Sequence, residues 1–220
     1  VNFTCQEINR ELALQHSFDG DFVTIDMKEA SDRVSAWLVQ SLFPRDMQRY
    51  LFATRSEKTV LPDGRCIDLK KFAPMGSAVC FPVEALTFWS LAVGSLRRIT
   101  RAKDMKSLPE VYVYGDDIIL HSEDYAIIKP VFEELSLKFN DDKCSTGRFF
   151  RESCGLDAFK LECVTPLKVK TRWSDSSPAA DLSWISYVNS LRERGFLASS
   201  DKLRGKVTQK LGVVPVSNKH

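Results

Sequence analysis

Two short apolar runs, Val111–Tyr114 and Ile118–Leu120, flank Gly115-Asp116-Asp117, and this arrangement constrains the fold more than any other part of the sequence. Both runs are rich in β-branched or aromatic residues, the composition of buried strands. A glycine followed by aspartate gives the backbone freedom that a tight connection needs, so the segment predicts a β-hairpin. Its tip carries two adjacent carboxylates. Taken alone, the pair reads equally as a polar turn that keeps the tip wet. A rigid hairpin also presents a carboxylate at a fixed height above a sheet, which suits a divalent cation seeking oxygen ligands.

The remaining pattern supplies partners for the hairpin. Phe22–Ile25 is a short apolar run that ends at Asp26 and reads as a buried strand. From Ala30 to Phe43 the residues Val34, Trp37, Leu38 and Leu42 share one helical face, and Pro44 stops the helix. Residues 45–74 are mixed, with a turn at Pro62-Asp63-Gly64, and Met75-Gly76-Ser77 is a loop. Pro82 suits the first turn of a long apolar helix that reaches about Leu96. Val131–Phe139 reads as helical, 149–170 as short strands with turns, and Ala179–Arg194 as a last helix. This order predicts an α+β fold, an antiparallel sheet with helices on one face. At 220 residues the chain suffices for one good-sized domain or one domain and part of another.

Charge is unevenly spread. Residues 1–165 hold 21 basic and 25 acidic side chains, whereas 166–220 hold 10 and 4. An acidic body with a basic tail fits carboxylates gathered at a metal site and a tail touching phosphates; it fits a solvated helix face as well. Cys5, Cys66, Cys80, Cys144, Cys154 and Cys163 form no C-x-x-C pair and have no histidine at zinc spacing, so reduced thiols are expected. His16, His121 and His220 are isolated, and no ligand role is expected of them. Ala78–Leu96 has the length of a membrane span but carries Glu84 and Pro82 and lacks a preceding basic residue, which favours a buried core helix. No signal peptide is visible, and the chain starts with Val1 rather than Met, which leaves its natural N-terminus open.

Asp26 ends a separate strand. In isolation it is as good a cap or turn residue as a ligand. If its strand lies beside the hairpin, Asp26, Asp116 and Asp117 converge and repel one another unless cations neutralise them. Converging carboxylates are what two-metal nucleotidyl transfer needs.

At this point the chain resembles the RNA-directed RNA polymerases of positive-strand RNA viruses, most closely the replicase subunits of RNA bacteriophages (leviviruses). Four motifs carry the resemblance in order: Asp19 to Ser35 around Asp26, Lys71 to Ser77 running into Phe81 and Glu84-Ala85-Leu86, Tyr114 to Ile119, and Asn140 with Lys143. Phe150-Arg151-Glu152-Ser153-Cys154-Gly155, Phe159 and Val164-Thr165-Pro166 follow. The likeness runs from about Asn9 into the final helix. It implies a right-hand polymerase palm with part of the thumb and most of the fingers absent. Residues 1–20 would end the fingers, 21–167 form the palm with a fingers-proximal segment at 45–74, and 168–220 begin the thumb.

The same resemblance implies the chemistry. Asp26, Asp116 and Asp117 would hold Mg²⁺, with Mn²⁺ as a substitute. Lys143 would act as general acid toward the pyrophosphate; a surface lysine beside Asp141 and Asp142 is an equal reading of it. Ser31, Asp32, Gly76 and Ser77 would contact the nucleotide and its ribose. Ser153 and Cys154 would support the nascent strand, although packing accounts for Cys154 equally well. Partners would be template and nascent RNA, ribonucleoside triphosphates and host translation factors, in the cytoplasm of a bacterial host and without a membrane. The sequence departs from the phage pattern where Ser77-Ala78 replace the usual Asn-Gly, which leaves the ribose contact of that loop open, and where Lys28 stands at a common serine position. Only Arg10 is basic in the 25 residues before Asp26, so the chain reads as a partial polypeptide, inactive alone.

A reverse transcriptase is the nearest rival. Those enzymes usually place an aromatic residue a few positions after the first aspartate, where Ala30-Ser31-Asp32 stand here. A carboxylate near the sugar can accept a hydrogen bond from a 2′-hydroxyl, and leaving such an acceptor unpaired costs about 1–3 kcal/mol. A catalytically inactive fragment or interaction module is the second alternative. Glu84, inside an apolar helix, calls for a partner that the sequence does not name.

Overall fold

The structure, a computed structural model, describes residues 1–100, 108–174 and 176–212, with the side chain of Thr100 left aside. The chain divides into two units, Val1–Thr165 and Pro166–His220.

The first unit is organised by a three-stranded antiparallel sheet. Strand β1 (Phe22–Ile25) pairs with β6 (Asp117–His121), which pairs with β5 (Val111–Tyr114). The register sets Ile25 opposite Ile118 and Tyr114 opposite Asp117. All four residues of β1 are buried, so both faces of the sheet are covered. Val23, Ile25, Val113, Ile118 and Leu120 enter the main core with Phe88 of α5 (Cys80–Thr100) and Phe132 of α6 (Tyr125–Glu134). The opposite face meets α1 (Glu7–Asp19): the Phe22 ring lies 4.4 Å from His16. There it also meets β8 (Phe150–Ser153), whose Glu152 N–H donates to Thr24 Oγ1 at 3.3 Å. Helices on one face were expected; the α+β class stands, but the second face is covered as well. The covering helix α1 is hard to read in sequence because its buried positions are Asn9, Ala13 and Ser17, a helical stripe of small and polar residues.

Three smaller pairings complete this unit. Strand β2 (Met27–Lys28) pairs with β7 (Lys138–Phe139), β3 (Lys58–Val60) with β4 (Cys66–Asp68), and β9 (Leu156–Phe159) joins β8 to β10 (Glu162–Cys163). The β3–β4 hairpin turns at the expected Pro62-Asp63-Gly64, where Leu61 N–H donates to Arg65 O at 2.8 Å. A nine-residue helix α4 (Arg45–Ala53) precedes it.

Two expected helices differ from what the periodicity suggests, one broken and one shifted along the chain. The stretch from Ala30 to Phe43 is broken into α2 (Ala30–Arg33) and α3 (Ala36–Leu42). Between them Val34 O accepts from Phe72 N–H at 2.7 Å, and Ala36 N–H donates to Lys70 O at 2.9 Å. Ser35 caps α3 by accepting from Leu38 N–H at 3.1 Å. The second half therefore turns away, and Trp37 ends 64% exposed. The helix expected over Val131–Phe139 lies earlier, at α6. It ends where Ser136 takes φ +64°, so that Lys138–Phe139 can pair with β2. The Ala78–Leu96 stretch forms α5, and among the described residues no helix is long and apolar enough to cross a membrane. Among the described residues no disulfide joins any of the six cysteines.

The second unit holds α7 (Pro178–Glu193) and α8 (Leu197–Leu211). Ser177 caps α7 by accepting from Ala180 N–H, with Pro178 in its first turn. Gly195, at φ +80°, turns the chain into α8, and Ser200 Oγ donates to Val188 O at 3.0 Å between the helices. Helix α8 was not expected, because Ser200 and Val207 are its only buried residues and give no apolar periodicity.

Candidate functional site

The strand register brings the chemistry together. Asp26 follows Ile25, the partner of Ile118, and so stands at the hairpin end of the sheet. Asp117 opens β6, leaving Gly115 and Asp116 as the two-residue turn. Gly115 has φ +62°, and a Cβ there would lie 2.5 Å from Phe81 Cε2 of α5. Glycine is thus required both by conformation and by the close approach of the helix. The Phe81 ring also meets Tyr114 edge-on at 5.0 Å.

Each aspartate is held differently. The Asp26 side chain is 18% exposed; its Oδ2 accepts from Asn140 Nδ2 at 2.8 Å, and its Oδ1 lies 3.6 Å from Lys143 Nζ. Asn140 N–H donates to Asp26 O at 2.9 Å, so the 140–143 loop is tied to the strand by backbone and side chain together. Asp117 Oδ2 accepts from Cys154 N–H at 3.0 Å, across a turn in which Cys154 adopts φ +51°. Burial raises the Asp117 carboxyl above the ordinary range; the Cys154 hydrogen bond opposes this and the Asp116 charge adds to it. Asp116 is exposed at the tip, yet the protein around it raises its carboxyl through desolvation, with the Asp26 charge adding and Lys143 opposing. The three are drawn together less tightly than a closed ligand set: their oxygens do not all lie within 4.8 Å of one another.

Two further carboxyls join this field. Glu84 on α5 is only 7% exposed and is pushed up to about 7 by burial and by the Asp116 charge. Among the described residues it has no cationic partner; the neighbour that the sequence could not name is another carboxylate. Glu152 is raised by burial and then by Asp117. The Cys154 thiol is pushed up to about 12 by burial and by Asp117, so it is protonated at neutral pH and hydrogen-bonds the Asp117 carboxylate alongside its own backbone N–H. Beside Lys143 and Glu152 an open hollow of about 390 Å³ is walled by Ser145, Thr146, Gly147 and Phe150.

The other expected residues form a second group around Cys80. Asp32, 59% exposed, pairs with Lys71. Ser31 hydrogen-bonds the Cys80 thiol, which burial raises first and the Glu84 charge second. Ser77 O accepts from Cys80 N–H at 3.0 Å, and Gly76 takes φ +98° in the exposed loop before it. Among the described residues no hydrogen bond or ion pair ties Gly76 or Ser77 to the aspartates. Ser153 is fully buried and its hydroxyl meets Cys154 Sγ at 3.7 Å.

A family model described as "RNA replicase, beta-chain" matches residues 1–193. The chain belongs to this family. It is 35% identical over 199 residues to the RNA-directed RNA polymerase beta chain of Enterobacteria phage fr, covering 89% of this chain and 34% of that one. It is 35% identical over 172 residues to the RNA-directed RNA polymerase subunit beta of Escherichia virus Qbeta, covering 78% and 28%. For the beta chain of Escherichia phage MS2 the figures are 32% over 170 residues, 77% and 30%. The chain thus spans about a third of the length of these relatives.

In this family member, sequence reading missed three contributors. Lys71 was visible only as part of a motif, and nothing in the spacing joins it to Asp32, 39 residues away. Glu152 lay in a quoted motif without a role. Arg151 is fully buried and donates to Phe22 O, Gly147 O and Phe150 O, clamping the start of β1 to the strand that leads to Cys154. His16, taken as isolated, gathers with Asp19 and Asp21 within 4.8 Å. Internal bonds explain that cluster: His16 Nδ1 lies 2.9 Å from Asp19 Oδ1, which also accepts from Asp21 N–H at 2.9 Å.

Proposed function

We propose that this chain supplies the catalytic palm of an RNA-directed RNA polymerase that copies viral RNA. The carrying observation is the register that brings Asp26 beside Asp116 and Asp117, in surroundings that raise the last two carboxyls. Such a set is under-neutralised: among the described residues Lys143 is the cation paired with it. Oxygen-only donors with an excess of negative charge fit Mg²⁺ or Mn²⁺ rather than a softer metal. Held by Asp26, Asp116 and Asp117, these ions would supply charge neutralisation and a lowered pKa for a bound hydroxyl.

The reaction is attack of the 3′-hydroxyl of the growing RNA on the α-phosphate of a ribonucleoside triphosphate, with pyrophosphate leaving. The protein's share is orientation. Asn140 fixes the Asp26 carboxylate, Cys154 N–H fixes that of Asp117, and Gly115 against Phe81 fixes the height of Asp116. Lys143, beside Asp26, delivers a proton to the departing pyrophosphate. Asp32, with Lys71, reads the ribose 2′-hydroxyl, and Ser31, Gly76 and Ser77 line its approach. The Cys154 turn supports the nascent strand. We read the first unit as palm, with 45–74 toward the fingers, and the second as the start of the thumb, acting on RNA in the host cytoplasm.

The test is labelled-nucleotide incorporation on a primed RNA template by a full-length family polymerase carrying this segment. Asp116→Asn swaps an anionic ligand for a neutral one of the same shape. It should keep the fold and lower incorporation by several orders of magnitude with Mg²⁺. Incorporation near the parent rate would overturn the assignment.

A further inference from the structure

The second unit contains a groove of about 500 Å³ walled by Trp173, Trp184, Leu203, Lys206, Gln209 and Lys210, within the usual size of ligand sites. Its aromatic wall is built rather than incidental. Trp184 of α7 meets Trp173 edge-on at 5.5 Å and Tyr187 at 5.9 Å. Lys210 donates to Ser174 O at 2.6 Å, pairs with Asp181 of α7 and lies 5.3 Å from the Trp173 ring centroid. One lysine thus ties the Trp173 segment to both helices and holds the indole in place, while 39% of Trp173 stays exposed. Lys202, Lys206 and Lys210 recur every four residues on α8 and share one face. Lys206 is exposed and makes no ion pair among the described residues. The surrounding 55 residues, 166–220, carry 10 basic against 4 acidic side chains.

We infer that this groove binds single-stranded RNA, with a base stacked on Trp173 and the flanking phosphates on the Lys202–Lys206 face. A rigid aromatic platform beside a line of lysines is what strand binding without sequence preference requires: π-stacking for the base and point charges for the backbone. An acidic protein segment would use the lysines but gain little from the indole pair. The choice of RNA over another polyanion rests on the polymerase reading. The site itself belongs wholly to the second unit and needs none of the aspartates.

The experiment is fluorescence anisotropy of a labelled ten-nucleotide oligouridylate with the 220-residue chain, over a series of salt concentrations. Trp173→Ala should weaken binding roughly 5- to 150-fold, the range of one lost base–aromatic stack, while Trp173→Phe stays close to the parent. Lys206→Ala, an exposed change that does not threaten folding, should lower the slope of log affinity against log salt by about 0.7, one phosphate contact on a single strand. Oligouridylate should also outcompete polyglutamate of equal charge. Unchanged affinity in Trp173→Ala together with an unchanged salt slope in Lys206→Ala would overturn the inference. Equal competition by polyglutamate would also overturn it and mark the groove as a protein-docking surface. The Asp116→Asn incorporation assay reads the other unit, so either claim can fail while the other stands.

Discussion

Glu84 shows how one carboxyl couples burial to the site. Its folded-state value of about 7 lies above the ordinary 4.5, so the folded chain binds this proton more tightly than the unfolded chain. The stabilisation is complete below about pH 4.5 and is lost as pH rises through about 7. Glu84→Gln carries no charge at any pH and escapes that loss. The variant should gain on the parent between pH 5 and pH 8 by on the order of 3 kcal/mol, measured by chemical denaturation with a chelator present. Parallel pH profiles would show that Glu84 is ionised in the folded chain. Asp32 makes a different demand. It is exposed and paired with Lys71, so the proposed reading of the sugar would require a nucleotide to cover it. In a full-length family polymerase, Asp32→Ala should reduce the ribo- over deoxyribonucleotide ratio of kcat/KM by about tenfold. An unchanged ratio would return Asp32 to a helix-end role and reopen the reverse-transcriptase reading.

At the level of elements, the hairpin and α5 act as one piece. Gly115→Ala would force a Cβ to 2.5 Å from Phe81 Cε2 while keeping a left-handed backbone. The variant should lose about 1–3 kcal/mol in chemical denaturation, and Phe81→Leu in the same chain should recover part of it through coupling. A parent-like midpoint for Gly115→Ala would mean that the turn is not pinned on the helix. These elements were also the most legible in sequence. Val111–Leu120 and Phe22–Ile25 announced themselves by β-branched runs, and α5 by its length and Pro82. What escaped did so for physical reasons. Helix α1 buries Asn9, Ala13 and Ser17, and α8 buries Ser200 and Val207, so neither shows an apolar stripe. Val34 and Ala36 look helical by spacing, but Val34 O and Ala36 N–H are spent on Phe72 and Lys70, a pairing that local pattern cannot report.

At the scale of the molecule, the sequence named Asp26, Asp116, Asp117 and Lys143, whereas the carboxyls that enclose them, Glu84 and Glu152, needed the fold. Their convergence links residues as far apart as Asp26 and Glu152: strand register aligns the aspartates, and the packing of β8 against β1 adds Glu152 to the same field. The central claim is that this field is a divalent-cation site. Its most direct test is an electron paramagnetic resonance titration of Mn²⁺ with the chain at neutral pH, comparing the parent with Asp116→Asn and with Asp19→Asn from the His16 cluster. The account predicts saturable loss of the free-ion signal with the parent, binding at least about tenfold weaker in Asp116→Asn, and no change in Asp19→Asn. Equal binding by parent and Asp116→Asn, or a loss confined to Asp19→Asn, would contradict it.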